Sequence, residues 1–118
     1  MRRLLGRVLK EVRGAERGSE LVVFVDEDGR SWAMHHVRDC CENVRVEDVT
    51  GRVEDLIGSP ILMAEERTSH VDSSDIYADS ATWTFYDLAT VKGYVQIRWL
   101  GESNGYYSEA VDFVELSA

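Results

Sequence analysis

Residues 20–37 read ELVVFVDEDGRSWAMHHV, and this stretch predicts two antiparallel strands joined by a tight turn. Leu21–Val25 is an unbroken apolar run of β-branched or bulky side chains, too short for an ordinary helix. Asp28-Gly29 follows, and both residues tolerate the positive φ that a two-residue hairpin needs. Ser31–Val37 then returns as the partner, with Trp32, Met34 and His36 sharing one face. A hairpin here commits the chain to antiparallel pairing.

The same punctuation recurs along the chain. Leu4, Leu5, Val8, Leu9 and Val12 permit a helix, but Gly6 weakens it. The favoured reading is instead a helical turn over 1–5 and a strand over Arg7–Ala15 that hairpins through Glu16–Ser19. Asn43–Val49 alternates as a half-buried strand. Thr50–Gly58 reads as a short helix, capped by Thr50, ended by Gly58 and stopped by Pro60. Ile61–Thr68 is a further strand, and polar, acidic residues 69–80 form an exposed loop. Ala81–Ala89 and Gly93–Leu100 pair through a tight turn. Asn104-Gly105 marks another hairpin tip before a last strand, Tyr107–Leu116. The expected fold is α+β and β-dominated: a mostly antiparallel sheet or small open barrel of about seven to eight strands with one short helix.

The 118 residues fit one domain spanning 1–118, and no apolar run is long enough for a membrane-spanning helix. The charge of −9 is uneven. Residues 1–17 hold six basic and two acidic side chains, a local +4, leaving seven basic and twenty acidic, or −13, elsewhere. So acidic a body argues against binding duplex nucleic acid, and the basic start can simply pair with it. The opening MRRLLGRVLKEV lacks the apolar middle of a signal peptide, which predicts a cytoplasmic protein. Reduced thiols are then expected at Cys40 and Cys41, since adjacent cysteines close only a strained ring.

Residues 35–44, HHVRDCCENV, concentrate reactive side chains. His35, Cys40 and Cys41 are a candidate zinc set, but strand geometry sends His35 and His36 to opposite faces, and a second cysteine pair is missing. A cysteine nucleophile has its ingredients here too, yet Asp39 and Glu42 would raise a thiol's pKa, away from reactivity. The simplest reading has the stretch fixing a bend between strands, with Asp39 accepting backbone hydrogen bonds.

A second cluster, Glu102–Glu109, places Ser103, Asn104, Tyr106, Tyr107 and Ser108 around the Asn104-Gly105 tip. Tyrosine and small polar residues suit recognition, because the ring gives contact area at low entropic cost. Trp32, Trp83 and Trp99 lie within strands and read as core. The paired acids Glu54-Asp55 and Glu65-Glu66 are neighbours in sequence and signal no catalytic site.

Taken together, HHVRDCCENVRVEDVTG at 35–51, DLIGSPILMAEE at 55–66, ATWTFYDLATVKGYVQIRWLGESNGYYSE at 81–109 and VDF at 111–113 resemble a family of small bacteriophage-encoded proteins. Relatives occur in bacterial genomes as prophage genes, and the family is known as a domain of unknown function. The resemblance runs from about Val22 to Phe113. Family members carry glutamine where this chain has Arg38. The resemblance implies a phage origin and a β-rich domain, and supplies no activity.

The resulting expectation is a non-catalytic phage accessory protein, without cofactor, that binds a host protein or a small nucleotide-like ligand in the host cytoplasm. Its candidate contact residues are Arg38, Asp39, Glu42, Ser103, Asn104, Tyr106, Tyr107 and Ser108. Two alternatives stand beside it: a metal- or cysteine-dependent protein centred on His35, Cys40 and Cys41, and an acidic nucleic-acid mimic that blocks a host DNA-binding protein. The uneven last strand is also able to pair across a homodimer axis.

Overall fold

The computed structural model describes residues 1–71 and 80–116. A 3-10 turn at Arg2–Leu4 leads into β1 (Leu9–Arg13), β2 (Leu21–Asp26), β3 (Ser31–His35) and β4 (Asn43–Thr50). A second 3-10 turn, Val53–Leu56, precedes β5 (Met63–Val71), β6 (Ser80–Thr90), β7 (Gly93–Ser103) and β8 (Asp112–Leu116). The strands form two four-stranded sheets, ordered β1-β2-β3-β8 and β4-β7-β6-β5. All neighbouring strands within them are antiparallel. The fold is thus β-dominated and antiparallel as expected, and its eight strands are shared between two four-stranded sheets that do not close into a barrel.

The β2–β3 hairpin pairs Phe24 with Trp32 and Val22 with Met34, which sets these four side chains on the buried face. Its turn is wider than a two-residue loop. Only Gly29 takes a positive φ, 86°, and the Asp26 carboxylate closes the loop by accepting the N–H groups of Asp28 (3.0 Å) and Arg30 (2.9 Å). In the second sheet Val46, Ile97, Trp99 and Leu88 face the same core, joined by Leu4, Leu56 and Ile61 from the connections. Backbone hydrogen bonds from Gly18 N–H to Val46 O and from Val46 N–H to Ser19 O, both 2.8 Å, tie the β1–β2 connection to β4.

Four expectations need correction. The helix at Thr50–Gly58 shrinks to the four-residue 3-10 turn: Thr50 is taken up as the last residue of β4, and no side chain caps the turn. Asn104-Gly105 does not join paired strands, because β8 leaves the β7 sheet and adds to β3, where Phe113 lies across from Met34 and its ring is 6.3 Å from that of Phe24. Both ends of the loop expected over 69–80 are strand instead, since β5 extends through Val71 and β6 begins at Ser80; residues 72–79 lie outside the described ones. Trp83 is not core. On β6 it is Thr82, Thr84, Tyr86 and Leu88 that point inward, so Trp83 and Phe85 are half-exposed on the outer face, under the guanidinium groups of Arg98 (5.2 Å) and Arg67 (4.8 Å).

One mismatch of length positions the site. β6 and β7 run eleven residues each, against five or six for every strand of the other sheet. The inner face of β6 therefore changes character along its length, from Leu88 and Tyr86 in the core to Thr84 and Thr82 beyond it. β5 pairs alongside in the same order, with Ala64, Glu66, Thr68 and His70.

Candidate functional site

The stretch HHVRDCCE is organised by Glu42. Its side chain is buried, and its carboxylate accepts hydrogen bonds from the backbone N–H of Asp39 (2.9 Å) and Cys40 (2.8 Å) and lies 3.0 Å from His36 Nε2. The Asp39 amide and then the His36 ring hold this carboxyl far below the ordinary range, at about 2. The expected roles of two acids are thereby exchanged: Glu42, not Asp39, takes the backbone N–H groups of the turn, and Asp39 is exposed.

The cysteines are bonded to each other, contrary to the expectation of two reduced thiols. Adjacent side chains diverge on a strand, but the turn drawn around Glu42 lets those of Cys40 and Cys41 lie together. Both are exposed. Paired sulfurs offer no thiolate to a metal or substrate. Among the described residues, no group of three or more His, Cys, Asp or Glu side chains is placed to hold an ion. Arg38 folds back to donate from Nε to the Cys40 carbonyl oxygen at 3.2 Å.

The second cluster is joined to the first through His36, whose Nδ1 lies 2.7 Å from the carbonyl oxygen of Ala110. Both ring nitrogens thus face acceptors, and the ring fastens the 104–111 connection to the bend. The two segments touch but line different concavities. Arg38, His36 and Glu42 border a recess of about 80 Å³ with Glu20 and Val44. Tyr107 and Ser108 belong to a much larger cleft.

That cleft, about 390 Å³, lies where the inner face of β5 and β6 runs past the core. Its floor and one side are Glu66, Thr68, Ser80, Thr82 and Thr84, and the connection from Gly105 to Val111 forms the other side. The wall is anchored by Glu109, which is buried. Its carboxylate accepts hydrogen bonds from Thr82 Oγ1 (2.7 Å) and from the Ser103 hydroxyl. Burial pushes the Glu109 carboxyl up, but the hydroxyls of Ser103, Thr82 and Ser80 outweigh it and leave the group below its usual range. Thr84 is the exception in this network. It is 1% exposed, and its hydroxyl has no hydrogen-bond partner among the described residues. Leaving such a group unsatisfied costs about 1–3 kcal/mol.

The family model of a domain of unknown function, DUF7448, matches residues 2–113. The chain belongs to this family. No curated protein and no solved structure matches it. The DUF7448 match spans both the disulfide bend and the cleft, so both features lie within the family's domain.

Within this DUF7448 chain, the residues singled out from sequence fall into separate settings. Tyr107 and Ser108 line the cleft. Ser103 lies beneath it as a partner of Glu109. Asn104 accepts the Tyr106 N–H at 3.0 Å to shape the loop, and Tyr106 projects outward, 88% exposed. Arg38 and Asp39 are exposed on the bend, while Glu42 is buried as its organiser. Sequence reasoning missed Thr68, Thr82, Thr84 and Glu66. The available signal was the alternation of threonine with Trp83 and Phe85, which places hydroxyls and rings on opposite faces without saying which face is inward.

Proposed function

We propose that this DUF7448 chain is a phage- or prophage-derived binding module that takes a small polar ligand in the hydroxyl-lined cleft and performs no chemistry on it. The observation that carries this reading is Thr84, a buried hydroxyl without a partner among the described residues, on the floor of a cleft of small-molecule size. A structural threonine so placed would be better as valine, whereas a ligand donor or acceptor would satisfy it. The Tyr107 ring supplies an aromatic wall, and Ser108 a further hydroxyl.

The non-catalytic part of the reading has its own support. A pair of acids across a cleft works as a hydrolase only if one of them holds a proton near neutral pH. Glu109 is held ionised, with both its oxygens occupied by hydroxyl donors. The phage origin rests on the sequence resemblance. Among the described residues no helix is long and apolar enough to cross a membrane. The open edge of β8 is the surface on which we place a homodimer contact.

A thermal-shift screen of small polar compounds against the wild-type chain and Tyr107→Ala tests the reading. Compounds that raise the melting temperature of the wild type and not of Tyr107→Ala support it. A screen without hits, or hits that stabilise both proteins equally, contradicts it.

A further inference from the structure

The cleft has a charge character as well as a shape. Among the described residues no lysine or arginine lines it, while two glutamates do, Glu66 at its exposed side and Glu109 in its wall. The donors on Glu109 are neutral hydroxyls, so its charge is not cancelled by an ion pair among the described residues. His70 adds an imidazole at the β5 side, its Nδ1 3.5 Å from Thr82 Oγ1. Glu66 accepts from the Tyr86 hydroxyl at 3.4 Å and also feels the amino terminus of Met1, which offsets part of its field. The summed potential repels anions and favours cations.

Resting on the reading of the cleft as a ligand site, we propose that its ligand is a small protonated amine on a hydroxylated or short aliphatic frame, of the amino-sugar or polyamine class. The ammonium sits between Glu66 and the wall carrying Glu109, within reach of the Tyr107 ring. Ligand N–H or O–H groups meet the free hydroxyl of Thr84. A nucleotide is disfavoured at this site, because its phosphates would face two carboxylates with no lysine or arginine among the described lining residues to receive them. The acids alone would not justify the assignment. The independent observation beside them is Thr84, 1% exposed on the floor and without a hydrogen-bond partner among the described residues.

Amide chemical shifts of the full chain, recorded during titration with glucosamine, spermidine, N-acetylglucosamine, adenosine and AMP, test this. Glucosamine or spermidine is expected to shift residues 82, 84 and 105–111. Binding should weaken about two- to fivefold in Glu66→Gln, an exposed position that does not threaten folding. Thr84→Val should weaken it about fivefold, the effect of one lost hydrogen bond. Stronger shifts of the same residues by N-acetylglucosamine, adenosine or AMP would overturn the amine assignment and leave the cleft as a ligand site. Amine shifts scattered over the acidic surface and indifferent to Thr84→Val would also overturn it, as diffuse ion pairing. If no probe of any class shifts the cleft residues, the ligand-site reading falls as well.

Discussion

Glu109 lies directly on Gly101: a Cβ at position 101 would come within 2.5 Å of the Glu109 carbonyl oxygen and 2.8 Å of its Cβ. The 104–111 connection can close over the inner face of β7 only because that face carries no side chain there. Gly101 thus positions Glu109 against Thr82 and Ser103, and the pairing of those three groups sets the cleft wall.

Substituting Gly101 tests this dependence. Gly101→Ala is expected to destabilise the fold by about 1–3 kcal/mol, because backbone as well as side chain must shift to admit the methyl group. Urea denaturation measures the loss. The same variant should perturb amide shifts at 105–111 while leaving the β2–β3 hairpin unchanged.

The two inward threonines should respond in opposite directions. Thr84→Val removes a hydroxyl that has no partner among the described residues, so stability should stay level or rise by about 1 kcal/mol. Thr82→Val removes the donor to Glu109 and should cost about 1–3 kcal/mol by leaving a buried carboxylate oxygen short of a partner. Equal losses at both positions, read by urea denaturation, would mean that Thr84 is satisfied after all.

Glu42 gives a pH signature. Its carboxyl ionises near 2 in the folded chain and at 4.5 when unperturbed, so its ionised form stabilises the fold above pH 4.5. That contribution is lost as pH falls from 4.5 toward 2. The stability difference between wild type and Glu42→Gln, followed by urea denaturation, should be flat from neutral pH to about 4.5 and shrink below it. A difference independent of pH would show that the bend does not depend on the charge.

The disulfide should matter little to the fold. Both sulfurs are exposed, the closed ring spans neighbouring residues, and the bend is already held by Glu42 and His36. Cys40→Ser combined with Cys41→Ser is therefore expected to change stability by no more than about 0.5 kcal/mol. Thermal unfolding of the double variant, beside the wild type with and without reductant, reads this directly.

How much of this was legible in the sequence depends on the range of the interaction. Local signals located the strands: the apolar run at Leu21–Val25, the turn at Gly29 and the alternation of Val95, Ile97 and Trp99 each depend on neighbours within a few residues. Sheet membership did not follow, because whether 112–116 continues beside β7 or crosses to β3 is decided by contacts such as Phe113 with Phe24. The bend at 36–42 was correctly located as a feature, yet its organiser was misassigned, since Asp39 and Glu42 are both able to accept backbone N–H groups and only burial separates them. The cleft was half legible. Tyr107 and Ser108 announced themselves by residue type. Thr84 and Glu66 became visible only once β5 was known to lie beside β6, with their inner faces running beyond the shorter sheet.

The central claim is that the polar overhang of β5 and β6, roofed by residues 105–111, is where this protein holds its ligand. The most direct measurement is an amide chemical-shift map of the full chain against a mixed library of small cationic, neutral and anionic compounds. Binding is predicted to shift residues 82, 84 and 105–111 together, and to do so less in Thr84→Val. Shifts concentrated instead at residues 36–42 or on the outer face around Trp83 and Phe85, with the cleft silent, would contradict the account.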